Sequence, residues 1–133
     1  MEFLLRVVFV MTLTIVVGSI VAGHPAYAQG KSAQHSPEFN LAVINAGRWV
    51  KKDDVTIIRF RYLLSSISAK SGYPPRRIGD EVAKARDLIR SEYGKEINLL
   101  AFTEDVNRAV LAAPQGTNLT KLLVLLVISI GKS

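Results

Sequence analysis

The chain of 133 residues contains no cysteine, and this absence excludes several chemistries together. It rules out disulfide bonds, cysteine-ligated zinc, a thiol nucleophile and the acylated cysteine that anchors bacterial lipoproteins. Histidine is nearly as scarce, with only His24 and His35, both close to the N-terminus. The sequence therefore predicts a protein body without Ser-His-Asp or Cys-His catalysis, without a metal site and without a cofactor.

Motifs that bind phosphate or calcium are missing as well. The sequence contains neither a glycine-rich phosphate loop nor an EF-hand calcium loop. Acid–base chemistry could still use carboxylates, and because acids near helix starts serve as caps, we expect the adjacent acidic pairs to be structural. The alternative is a carboxylate-dependent enzyme acting on a polysaccharide or a small metabolite. The three pairs are Asp53-Asp54, Asp80-Glu81 and Glu104-Asp105.

Residues 1–28 have the layout of a secretory signal peptide. One base, Arg6, precedes a long uncharged apolar run, and the Ala-Tyr-Ala of residues 26–28 has the small-x-small pattern that signal peptidase accepts. We expect cleavage after residue 28 and export to the periplasm or the cell exterior. The alternative is an uncleaved membrane anchor over residues 3–22, since about 20 apolar residues suffice to span a bilayer.

A second apolar segment, 122–130, contains only Leu, Val, Ile and one Ser. It is too short to cross the ~30 Å hydrocarbon core of a bilayer as a helix. We expect a buried core element at the centre of the fold. It can be a helix or a strand, because periodicity does not separate the two in a continuous apolar run. Membrane association through 3–22 or 122–130 is the alternative interpretation.

Capping signals predict helices between these two apolar segments. A flexible polar leader occupies residues 29–36. Ser36 and Pro37 then start a first helix, which stops near Gly47. The second helix spans 55–70 and is capped by Asp53 or Asp54. Its apolar stripe, expected to face the core, comprises Ile57, Phe60, Leu64 and Ile67, widened by Ile58 and Leu63.

Two further helices follow the Tyr73-Pro74-Pro75 break. Asp80 is expected to cap the third helix, which Gly94 terminates, and the fourth helix spans about 96–112. Together these segments predict an all-α fold, a small bundle of four to five helices that follows the N-terminal signal peptide and occupies residues 37–133.

The charge and the aromatic residues supply the candidate binding site. The formal net charge is +6, and removing residues 1–28 leaves it unchanged because that segment holds one acid and one base. Two basic–aromatic clusters could hold an anionic ligand, since cations bind phosphate or carboxylate groups while aromatic rings stack on sugars or bases. The first cluster is Arg48, Trp49, Lys51 and Lys52, and the second is Tyr73, Arg76 and Arg77.

These features favour a small exported, non-enzymatic helical protein. We expect it to bind a partner protein or an anionic envelope component. Phospholipid headgroups and cell-wall polymers are examples of such components. Export argues against nucleic acid as the ligand. A membrane-associated protein that retains residues 3–22 as an anchor is the alternative, with the carboxylate-dependent enzyme as the third interpretation.

Overall fold

Five α-helices make up residues 35–133, the part of the chain that a computed structural model describes. No strand occurs in this range, so the predicted all-α bundle of four to five helices is confirmed. The predicted signal peptide and most of the leader lie outside the described residues. The helices are α1 Pro37–Ala46, α2 Val55–Ser71, α3 Pro75–Tyr93, α4 Leu99–Ala112 and α5 Leu119–Lys132.

Short polar side chains start three of the helices. Asp54, Asn98 and Asn118 are the N-cap residues of α2, α4 and α5, and each side-chain oxygen accepts a hydrogen bond from a backbone N–H in the first turn. These bonds satisfy donors that the helix itself leaves unpaired. The predicted cap and start of the second helix are confirmed, whereas the fourth helix begins at Leu99 rather than near residue 96.

The third helix starts earlier than its sequence signals suggest. The cap predicted at Asp80 is wrong, because α3 begins at Pro75 and Asp80 lies in its second turn. Proline suits the first helical position, since its fixed φ is helical and its missing N–H would have no intrahelical partner there. The predicted end is confirmed: Gly94 adopts a left-handed φ of 65° directly after Tyr93.

The core is formed by one apolar face of each helix. Phe60 and Ile67 of α2 are fully buried, as are Ile78 of α3 and Phe102 of α4. The predicted α2 stripe is confirmed for all of its members except one. Ile58 was expected to widen that stripe, and this is wrong, because it points outward with 57% of its surface exposed.

The terminal apolar segment is helical and lies at the edge of the bundle. Helix α5 packs mainly on α3 and α4. The central position expected for segment 122–130 is therefore wrong, since hydropathy reports how much apolar surface a segment has but not which neighbours cover it. No helix within residues 35–133 is long and apolar enough to cross a membrane. The buried residues of α5 are Leu119, Leu123, Val124 and Val127.

The end of α3 is fixed against the last turn of α5. The ring of Tyr93 lies where a Cβ at Gly131 would be, so the two helices approach closely only because residue 131 has no side chain. Burial raises the pKa of the Tyr93 hydroxyl. Lys95 then donates from Nζ to the carbonyl oxygen of Ile130 at 3.0 Å, which satisfies a backbone acceptor at the end of α5.

We expect Gly131→Ala to lower the free energy of unfolding by about 1–3 kcal/mol, because the added methyl group overlaps the Tyr93 ring. Gly79→Ala is the matched control, since a Cβ at residue 79 meets Leu41 Cδ1 at an ordinary 3.6 Å. That control should be neutral or stabilise α3 by up to about 1 kcal/mol. Chemical denaturation measures both, and equal effects would contradict the fit between Gly131 and Tyr93.

Candidate functional site

The first predicted cluster occupies the loop between α1 and α2. Gly47 ends α1 with a φ of 69°, and Asp54 caps α2, so the loop is held at both ends. Trp49 keeps 66% of its surface exposed, and its ring stands edge-on to Phe39 with the centroids 5.3 Å apart. The exposed residues Arg48, Trp49, Lys51 and Lys52 are called the loop cluster below.

The cations of the loop cluster make no ion pair with a carboxylate in residues 35–133. Asp54, at the end of this loop, is engaged elsewhere: the Thr56 N–H donates to its Oδ1 at 2.8 Å. This hydrogen bond is the main cause that lowers the pKa of Asp54, and the charge of Arg48 contributes. Six other arginines do form ion pairs: Arg59, Arg61, Arg77, Arg86, Arg90 and Arg108.

The second predicted cluster is bonded into the bundle. The guanidinium of Arg77 lies 4.3 Å from the centre of the Tyr73 ring, and its Nε is 3.3 Å from Glu81 Oε1. Glu81 is only 2% exposed, and its other oxygen accepts a 3.4 Å hydrogen bond from the Thr120 hydroxyl of α5. Because a buried carboxylate is costly without a partner, Arg77 has a structural task, while Arg76 is exposed beside it.

The structure does not bring the two clusters together. The loop cluster precedes the first residue of α2, Val55, whereas Tyr73 follows the last, Ser71. A helix of 17 residues is about 25 Å long at ~1.5 Å per residue. The candidate residues therefore form two separate surfaces. In the loop cluster, the cations Arg48, Lys51 and Lys52 form no ion pair within residues 35–133.

A groove between α2 and α4 runs beside the α2 surface that follows the loop cluster. Its volume is about 600 Å³. Arg59 of α2 and Glu104 of α4 form an ion pair that links the two helices at its edge. Arg108 also lines the groove and pairs with Asp105 along α4. The lining residues are Ile58, Arg59, Tyr62, Leu63, Glu104, Asn107 and Arg108.

An exposed apolar stripe lies along the outer face of α2. Val55, Ile58 and Tyr62 are spaced i, i+3 and i+7, so they share one face of the helix, and they are exposed by 66%, 57% and 69%. Two of the three also line the groove. Large apolar side chains that are exposed next to a concavity are typical of interaction surfaces.

Asn107 in the groove lining is a polar side chain with an unmet hydrogen-bonding requirement. It is 9% exposed, and its Oδ1 is buried without a hydrogen-bond partner. A buried acceptor without a partner costs about 1–3 kcal/mol of stability.

Glu104 is the one member of the predicted acidic pairs that lines this groove. An enzyme that relies on a carboxylate requires such a residue in a concave site, but the Glu104 carboxylate is already paired with Arg59. Its neighbour Asp105 is paired with Arg108. Each of the two carboxylates therefore holds an arginine that lines the groove.

Sequence reasoning did not identify the groove. Val55, Ile58 and Tyr62 lie on the side of α2 opposite its buried residues, so α2 has more apolar side chains than one buried face requires. That excess is the signal that could have indicated a second surface. Asn107 and Arg108 have no comparable signal, because only the packing of α4 on α2 places them in the groove.

Comparison of the chain with protein-family models, with curated proteins and with solved structures finds no match.

We expect Asn107→Leu to raise the free energy of unfolding by about 1–2 kcal/mol, because it removes a buried acceptor that has no partner. Thr103→Val is the matched control on the same helix, since the buried Thr103 hydroxyl already donates to the Leu99 carbonyl at 2.7 Å. Chemical denaturation compares the two. A loss of stability in Asn107→Leu as large as in Thr103→Val would show that the Asn107 amide is satisfied.

The stability that the Asp54 cap contributes at the end of the loop cluster should depend on pH. Because the pKa of Asp54 is lowered in the folded state, its contribution to stability is present above the unfolded value, near 3.8, and is lost as pH falls through the lower folded value. Asp54→Asn keeps a capping oxygen without the titrating group. Denaturation midpoints below about pH 4 should therefore fall more steeply in the wild type than in Asp54→Asn. Parallel pH profiles would contradict this.

Proposed function

We propose that this protein is a small exported, non-enzymatic helical protein that binds the anionic groups of a partner protein or an envelope component through the loop cluster. The observation that carries the proposal is that Arg48, Lys51 and Lys52 are exposed beside an exposed Trp49 and form no ion pair within residues 35–133. Cations without internal partners can bind phosphate or carboxylate groups at little structural cost.

The use of the acidic side chains supports binding rather than catalysis. Asp54 caps α2, and Glu81 holds Arg77 within the bundle. Glu104 and Asp105 each hold an arginine at the groove. Four of the six carboxylates in the adjacent pairs therefore have a place in the fold, as expected of structural acids.

Export is the part of the proposal that depends on residues 1–28. Mass spectrometry of the protein purified from its native cells should give an N-terminus at Gln29. An N-terminus at Met1 would instead support a protein held to the membrane by residues 3–22.

We expect Lys51→Gln/Lys52→Gln to weaken retention on vesicles rich in phosphatidylglycerol, or on cell-wall sacculi, by about thirtyfold, because each lysine near an anionic surface contributes ~1 kcal/mol. Co-sedimentation at low and at physiological ionic strength measures the effect. Added salt should release the wild type, since it screens exposed charges. Testing vesicles and sacculi separately shows which of the two anionic materials is bound.

The matched control is Lys121→Gln/Lys132→Gln, which removes the same charge from exposed positions on α5. It should retain wild-type binding apart from a small effect of net charge. An equal loss in both double variants would assign retention to net charge alone. Retention that does not respond to salt would overturn electrostatic binding by the loop cluster.

A further inference from the structure

We propose that the groove between α2 and α4 is a docking site for an amphipathic helix of a partner protein, and that the acidic end of this helix lies against the loop cluster. The inference rests on the proposed function, because it identifies the anionic ligand of the loop cluster as carboxylates of a protein segment. It also adds the apolar contacts that electrostatic binding alone does not supply.

The shape of the surface suits a helix. Two packed helices leave a furrow between them, and a third helix can lay its apolar face into such a furrow. The exposed stripe from Val55 to Tyr62 extends for about 10 Å along α2, or two helical turns. A partner helix with apolar residues at i, i+3 or i+4, and i+7 presents a stripe of the same length.

The chemistry of the surface is that of a protein interface. Its lining combines the apolar side chains of Ile58, Tyr62 and Leu63 with the charged side chains of Arg59, Glu104 and Arg108, each of which is held in an ion pair. Tyrosine and arginine are enriched among residues that dominate binding, and interfaces combine apolar with polar contacts. The edge charges already have partners, so docking does not leave one of them buried alone.

The distribution of charge sets the direction of the partner. The apolar stripe occupies the N-terminal half of α2, directly after the loop cluster. The cations Arg48, Lys51 and Lys52 at that end have no ion pair in the described part of the chain. A partner helix that follows the stripe therefore gains most from acidic residues at the end that reaches the loop.

The carboxylates beside the groove disfavour a lipid surface as its occupant. A bilayer that covered the stripe would bring its anionic headgroups next to the carboxylates of Glu104 and Asp105 at the groove edge. Those carboxylates hold Arg59 and Arg108, so these two cations contribute little attraction to headgroups. A peptide can leave its polar side chains at this edge, whereas a continuous anionic surface cannot.

The test is selection of helical peptides from a displayed random library on the wild-type protein, followed by measurement of their affinity for Ile58→Ser/Tyr62→Ser. Both substituted residues are exposed, so the variant should fold, and circular dichroism verifies this. Selected peptides should share apolar residues at i, i+3 or i+4, and i+7, with acids clustered at one end. Their affinity for the groove variant should fall by about tenfold or more.

The matched control is Ile44→Ser/Leu125→Ser, which removes two exposed apolar side chains outside the groove and should change affinity less than about twofold. Trp49 is the only tryptophan of the chain, so tryptophan-free peptides can be followed by its emission. That emission should change when the acidic end covers the loop, and moving the acids to the other end should abolish the change and weaken binding.

Several outcomes would overturn the proposal. These are no enrichment, enriched peptides without the apolar spacing, or equal affinity for the wild type and the groove variant.

Loss of vesicle retention in the groove variant, with peptide binding intact, would assign the stripe to lipid. If the loop variants lose retention on vesicles or sacculi while the groove variant binds peptides normally, the proposed function stands and this inference fails. If peptide binding needs the groove but not the loop cations, the acidic end of the inference fails, and the proposed function fails as well only if the loop variants also keep wild-type retention on vesicles and sacculi.

Discussion

Apolar contact with α3 and α4 is the constraint on which the rest of the bundle depends, because each of these two helices packs against every other helix of residues 35–133. The chain has no cysteine, so burial of one face per helix and the caps at the helix ends must define the fold. Helix α2 packs on α4, and each of the two helices buries a phenylalanine, Phe60 in α2 and Phe102 in α4. That packing also forms the groove, so the geometry of the candidate site follows from the core.

Polar contacts between helices determine how the elements meet. Asn45 of α1 accepts a hydrogen bond from the Leu100 N–H at 3.1 Å, which satisfies a donor in the first turn of α4. Glu81 receives Arg77 from its own helix and Thr120 from α5. Because such bonds are directional, they select one arrangement among the many that apolar burial alone would allow.

The helices could be predicted from local signals, whereas their arrangement could not. Caps such as Asp54 and terminators such as Gly94 act within a few residues, so the sequence alone identifies them. The start of α3 was missed because Pro75 and Asp80 both resemble helix starts. Ile58 was assigned to the core because helical spacing does not tell which of two apolar faces is buried. The groove depends on Asn107, which only tertiary packing brings to α2.

The peripheral position of α5 has a consequence for the dynamics of the bundle. A helix with few contacts outside two neighbours can open as a cooperative unit at a lower free energy than the whole domain. Lys95 and Tyr93 resist that opening at the far end of α5, and Glu81 resists it near the first turn. Opening would deprive Glu81 of its Thr120 partner, so amide exchange in α5 and the hydration of a buried charge in α3 are linked events.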